Sequence, residues 1–457
     1  MGPDLVTRSP RYVGYVTADE AAVPSTDMTR LDAHGDDDGL WPSPWPAEDG
    51  GQRRQQVGRS SRLGVVPSES FEVTSRMAIA STMVVLRDPG EVYLLCHTAG
   101  EDAISWVEQI DAVTLESVRR SPDLPGGPTW PGGIAAHADG CLYVVFGQHA
   151  HRLSADLADV HTVTLPRRRP YNSFVVLPDG HLVTKDFAGR RPTAPDGDGL
   201  GASELLLLAP GTLDVVASCS LPEPSIARLS ADGDDVYVVG ETSLIRVHRS
   251  GASLTVDESF CATYRTMDGQ THGWDAVITD GCAWFLDNGA GSERYTGTLR
   301  GNGVSTAPLH LVRVSLTDGE VVTAEVCGLP GGVIANPPAV DPSRRIAVGY
   351  DSGNGVVTAF RYGPAMTDPL VPIWSRAQDH AAHPLLYPES GELVLHDHDA
   401  DRQAEQLVVL DIETGTELLR ADTGSPVQSV LFPAAGWGRT VYSCTFFGPS
   451  RMSLPDR

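Results

Sequence analysis

Lysine is almost absent from this chain of 457 residues: Lys185 stands alone in a basic complement of 34 that is otherwise arginine. Against it are 59 aspartates and glutamates, giving a formal net charge of -25. So acidic a chain is repelled by phosphate backbones and anionic lipid, so neither nucleic acid nor a membrane surface is an expected partner. Long apolar runs are missing as well. No window holds the roughly 18 apolar residues that a spanning helix needs. The first ten residues, Met1-Gly-Pro-Asp-Leu-Val-Thr-Arg-Ser-Pro, contain no apolar export core. The seven cysteines are odd in number, scattered and never in CxxC spacing, which argues against a disulfide framework. Several fall inside apolar phrases, where a free thiol packs as a small hydrophobe. Together these absences lead us to expect a cytoplasmic protein.

What is abundant is the turn. Gly 47 and Pro 34 imply many reversals and few long helices. A short phrase recurs after these turns, beginning Glu91-Val-Tyr-Leu-Leu-Cys-His and Cys141-Leu-Tyr-Val-Val-Phe-Gly. It returns at His181, Asp235, Cys282, Arg345, Glu392 and Thr440. Copies lie about 40 to 65 residues apart, the period of propeller blades. The spacing predicts an all-β, single-domain β-propeller over residues 61–457, with eight four-stranded blades and seven as the alternative. Asp-Gly pairs at Asp139-Gly140, Asp179-Gly180, Asp232-Gly233 and Asp280-Gly281 supply the hairpin turns before the phrase. The eighth copy has too little chain after it to finish a sheet. Ser61-Arg-Leu-Gly-Val-Val-Pro67 is expected to add the missing strand and close the ring. Residues 1–60 are an acidic, Pro- and Gly-rich extension with little periodicity. They read as a disordered tail, or as an arm across the propeller anchored by Trp41 and Trp45.

The hairpins that end each blade, seen best in Leu410-Asp-Ile-Glu-Thr-Gly-Thr-Glu-Leu418, resemble the repeats of the quinoprotein-type (PQQ-like) β-propeller superfamily. Ile110-Asp-Ala-Val-Thr and Val314-Ser-Leu-Thr-Asp-Gly are comparable. The resemblance implies the fold and not the cofactor. The repeated blade-docking tryptophan of true quinoprotein dehydrogenases is missing, as are their adjacent cysteines and export signal.

Chemistry is expected where polar residues break the apolar pattern. The fifth position of the phrase is occupied by Lys185 and His396, and the sixth by Asp186, Asp287 and Asp397. A charge in a half-buried strand is costly unless it is paired or faces a wet cavity. The segments that lead into the next inner strand are polar too: Asn172, His272-Gly-Trp274-Asp275, Asn336 and His380-Ala-Ala-His383. In a propeller both sets open on one rim, so a pocket is expected there. Lys185, Asp186, His272 and Asp287 are the catalytic candidates, with His272 and Asp287 as an acid–base pair. Asn172, Trp274, Asp275, Asn336 and Asp351 are the substrate-binding candidates. His383, His396 and His398 suit one divalent metal ion, although HxH alone is a weak signal and His149-Ala-His151 repeats it. Gly-rich loops at 188–201 and 289–301 are placed to cover the same rim.

Two functions follow. The first is a small-molecule enzyme of hydrolase, lyase or isomerase type at the channel mouth. The second is a non-catalytic scaffold that binds a protein or ligand. No GxSxG, GxxxxGK[ST] or HExxH motif is present to favour the first.

Overall fold

A computed structural model describes residues 39–58, 62–189, 201–270, 272–291 and 297–455. Residues 1–38 lie outside it, and with them most of the stretch read as a tail. The described residues form eight radial antiparallel sheets, each with at least four strands. The alternative of seven blades is excluded. No described helix is long and apolar enough to cross a membrane.

Burial grades outward along each blade. The recurrent phrase is the second strand, packed between neighbouring blades on both faces. Leu142–Phe146 and Leu182–Asp186 are buried at every position. Fourth strands such as Ser117–Arg120 are exposed throughout. A continuous apolar phrase therefore marks the layer in which neither face meets water. Outer turns are held by aspartate. Asp411 accepts from the amides of Glu413 and Thr414, and Asp111 from those of Val113 and Thr114. These Asx turns are the physical content of the recurring blade-closing hairpin.

The ring is closed by the N-terminal side, but not by the segment expected. Glu72–Ser75 pairs antiparallel with Gly448–Ser453 as the fourth strand of blade 8. Of the expected strand, Ser61 lies outside the described residues. The rest crosses the lower face, where the Glu392 carboxylate accepts from the amides of Leu63, Gly64 and Val65 at 2.9, 2.7 and 2.6 Å. Gly64 turns left-handed at φ 68 and Pro67 lacks a donor, so this stretch makes a poor ladder. Phe71-Glu-Val-Thr-Ser has the alternation that a strand needs.

Residues 39–58 fill the channel. At Gly39 the segment lies beside the lower turns, where Ala138 N donates to Gly39 O, and it rises along blade 2, where Ala47 bridges Ala135. It reverses in a 3-10 turn at Glu48–Gly50. It then descends past Ala231, Ile278 and Leu386, the inner strands of blades 4, 5 and 7. Trp45 is 1% exposed, and its carbonyl accepts from Leu86 N in blade 1. Trp41 stays nearer the rim, bonded to Asp88 at 3.1 Å and covered by Arg87. This segment is a hairpin plug inserted from below.

Candidate functional site

The tip of the plug meets the polar lead-in segments of the upper channel. Glu48 and Asp49 are acidic and consecutive, and both are buried. Gly133 lets Glu48 come close, since a Cβ there would meet Glu48 Oε2 at 3.1 Å. Arg228, leading into blade 4, donates from Nη1 to Glu48 Oε1 at 2.9 Å and to Asn172 O at 2.6 Å. Its Nη2 reaches Pro131 O at 2.8 Å, and its guanidinium lies 4.7 Å from the Phe432 ring centre. Asp275 Oδ1 accepts from the Arg228 amide at 2.7 Å, which fixes the lead-in backbone. His383 bonds Asp49 Oδ1 through Nδ1 at 2.8 Å and packs on Phe432. Arg54, on the plug's descending limb, pairs with Glu48 and Asp49 and also donates to Ser173 Oγ and Leu229 O.

Lys185 completes this cluster. Its Nζ donates to Ser225 O at 3.2 Å and Asp186 O at 3.4 Å, and none of its surface is exposed. Three carboxylates, Glu48, Asp49 and Asp275, thus face Arg54, Arg228 and Lys185. Burial raises the Glu48 carboxyl, although Arg228 and Arg54 pull it back. Burial acts the same way on Asp49, but there His383 and Arg54 outweigh it and the net shift is downward. Burial and the two arginines bring Lys185 down to about 8, against the pull of Asp186 and Asp275.

That shift has a testable sign. Folded Lys185 loses its proton near pH 8, whereas the unfolded chain holds it to about 10.4. Unfolding takes up a proton between these values, so the lysine's contribution to stability rises with pH across them, by about 3 kcal/mol in all. Buried thiols such as Cys96 and Cys444, whose pKa burial raises, act in the opposite sense over the same range. The comparison that isolates the lysine is therefore the parent chain against Lys185→Met. Denaturant unfolding should show parent stability minus variant stability climbing by about 2–3 kcal/mol between roughly pH 7 and 10. A flat difference would show that Lys185 does not titrate there.

The structure gathers Asn172, Lys185, Asp275 and His383 around the plug and sends the other candidates elsewhere. Asp186 turns toward blade 2, where Arg169 and Arg167 hold it at 2.7 and 3.3 Å. The expected pair of His272 with Asp287 is not formed. Asp287 is taken by His310 Nδ1 at 2.9 Å and by Gln270, while His272 sits half-buried at φ 49 leading into blade 5. Asp351 ties down its own loop through Asn354 at 2.7 Å and Val333 N at 3.2 Å. Asn336 links blade 6 to the carbonyls of Ala381 and Val430. Trp274 is buried beside Trp130, which stacks on Phe187 at 4.4 Å.

The expected histidine trio is likewise dispersed. His396 bonds Ser443 Oγ at 2.6 Å, and His398 pairs with Glu405 at 3.3 Å. Among the described residues, one group of three donors lies close enough to share an ion, namely Asp49, Asp275 and His383. Arg54 already pairs with Asp49, and Arg228 stands 3.8 Å from Asp275, so a cation there would meet two guanidinium groups. Much of each expected covering loop, at 190–200 and 292–296, lies outside the described residues.

Glu48, Asp49, Arg54 and Arg228 are the site residues that sequence reasoning missed. A signal existed for Arg228, an arginine inside the otherwise apolar Ile226-Ala-Arg-Leu229. The plug tip offered only Glu48-Asp-Gly-Gly51, an ordinary turn composition.

No protein-family model and no curated protein matches this chain. Solved structures do. Quinohemoprotein alcohol dehydrogenase from Comamonas testosteroni aligns with a TM-score of 0.56 at 11% identity, over 96% of this chain and 84% of that one. BamB from Moraxella catarrhalis aligns at 0.53 and 11%, over 84% of this chain and 98% of its own. The Dos1 propeller aligns at 0.50 and 10%, covering 84% and 95%. At such identities the likeness is one of fold, that of a β-propeller.

Proposed function

We propose that this chain is a non-catalytic binding propeller that receives a protein partner on its upper face. One observation carries the reading: the channel, where an acid–base enzyme of this shape would hold substrate, is filled by the chain's own residues 45–57. Arg228, His383 and Ser173 serve Glu48, Asp49 and Arg54. The outlying aspartates, Asp186, Asp287 and Asp351, fasten loops. An acid–base reading would need Lys185 and Asp275 released from this arrangement.

The upper face offers a place for a partner. Met77 and Ile79 are 65% and 69% exposed between blades 8 and 1, beside Phe446. Ala78 N and Ala80 N bond the carbonyls of Phe447 and Phe446, which makes these side chains one patch. Exposed apolar patches with polar rims mark docking sites. Asp102, 94% exposed, lies on the loop that follows the same blade edge. Apolar anchors flanked by arginine or lysine would complement this surface and the net charge of -25.

Capture from native lysate with a carboxylate-reactive crosslinker tests the reading. Basic proteins held by the parent chain should be held equally by Lys185→Met and lost by Met77→Asp/Ile79→Asp. Loss of the captured set with Lys185→Met, or its survival in the double variant, would overturn the proposal.

A further inference from the structure

The plug tip behaves chemically as a bound dicarboxylate. Glu48 and Asp49 present two neighbouring carboxylates, and the wall answers each from a different blade: Arg228 from the segment leading into blade 4, His383 from that leading into blade 7. Without the plug, the wall would hold Arg228, Lys185 and His383 against Asp275, since Asp186, the other carboxylate near Lys185, is held by Arg169 and Arg167. That is an excess of positive charge in a chain that is otherwise strongly acidic.

Two further observations mark the tip as a displaceable occupant. Buried polar atoms around the tip have no hydrogen-bond partner among the described residues: His383 Nε2, Asn172 Oδ1, Tyr350 OH and Asp275 Oδ2. Such atoms are nearly always bonded to something in a folded protein. The plug is also held under strain. Asp49, Arg54 and Gln56 adopt φ of 53, 50 and 57 without being glycine, and each such residue costs about 1–3 kcal/mol.

We propose that the upper channel is a binding site for a small dicarboxylate, that the Glu48–Asp49 tip occupies it in the closed chain, and that free dicarboxylate competes with the tip for Arg228 and His383. The site lies inside the ring, so it stands apart from the docking of a protein partner on the Met77 face, and either can fail alone.

Chemical rescue tests it. Full-length Glu48→Ala/Asp49→Ala is refolded with glutarate and melted. Refolding in the presence of the probe removes any limit set by access. Glutarate should raise the Tm of this variant by about 3 °C over sodium chloride at equal ionic strength, the shift expected for a ligand well above its Kd in a chain of this size. The gain should disappear when Arg228→Met is added. Equal effects of glutarate and sodium chloride, or a gain that survives Arg228→Met, overturn the proposal. Hydrogen exchange on the parent chain covers the case in which the variants do not fold. Glutarate should then speed exchange at the amides of Gln56 and Gly58, which bond Asp49 O and Leu386 O, while amides of the second strands keep their rate. Unchanged exchange of the plug amides overturns the proposal by itself.

Discussion

A chain truncated to begin at Met77 should show no cooperative unfolding transition and should elute as large assemblies. Two supports go at once. Removal of Glu72–Ser75 strips the outer strand from blade 8 and leaves Gly448–Ser453 as an open edge, a template for pairing between molecules. Removal of residues 39–58 empties the channel. Loss of a buried tryptophan such as Trp45 costs about 3–5 kcal/mol. Uncompensated Arg228 and His383 add a penalty of similar size. Backbone bonds from the plug to the inner strands of blades 1, 2, 4, 5 and 7 are lost as well. The sum rivals the 5–15 kcal/mol that holds a typical protein folded. Circular dichroism during heating and size-exclusion chromatography read the outcome. A sharp melt and a monomeric peak would show that the ring closes without its strap.

Arg228→Met should lower the free energy of unfolding by about 3–5 kcal/mol, the cost of leaving one partner of a buried ion pair uncompensated. Methionine roughly keeps the volume and the packing on Phe432, so the loss isolates the charge. Glu48 would keep Arg54 and lose its wall-side partner, and the carbonyls of Asn172 and Pro131 would lose a donor. Adding Glu48→Gln removes the stranded carboxylate and should return part of the loss. The four members of that double-mutant cycle, compared by urea unfolding, give the coupling between plug and wall directly. A loss below about 1 kcal/mol would place the cluster in solvent, where ion pairs contribute little.

The parts of this fold that were legible are those where burial dictates composition. Second strands are covered on both faces, so Leu142–Phe146 and Cys282–Leu286 advertise themselves as apolar runs. Inner strands of two or three residues, such as Ala434–Ala435, carry too few side chains to register. Outer strands face water, and water accepts almost any residue, which is why Glu72–Ser75 lost out to the more apolar Gly64-Val-Val66. The site divides along the same line. Lys185 and Asp275 stood out because polar groups are conspicuous in an apolar context, and the structure brings them to one cluster. Residues 39–58 looked unstructured because nothing in them repeats. Their order comes from inner-strand amides and carbonyls that would otherwise lack partners, a property of the ring that has no trace in the segment itself.

One consequence reaches past the channel. With Lys185 walled in, the described exterior displays no ammonium group from a side chain, and reagents that acylate side-chain amines find no target on it. Acylation of that residue would require the plug to leave the channel or blade 3 to part from blade 4. The described residues therefore carry their own chemical timer of opening, one side-chain amine that stays silent for as long as plug and wheel stay together.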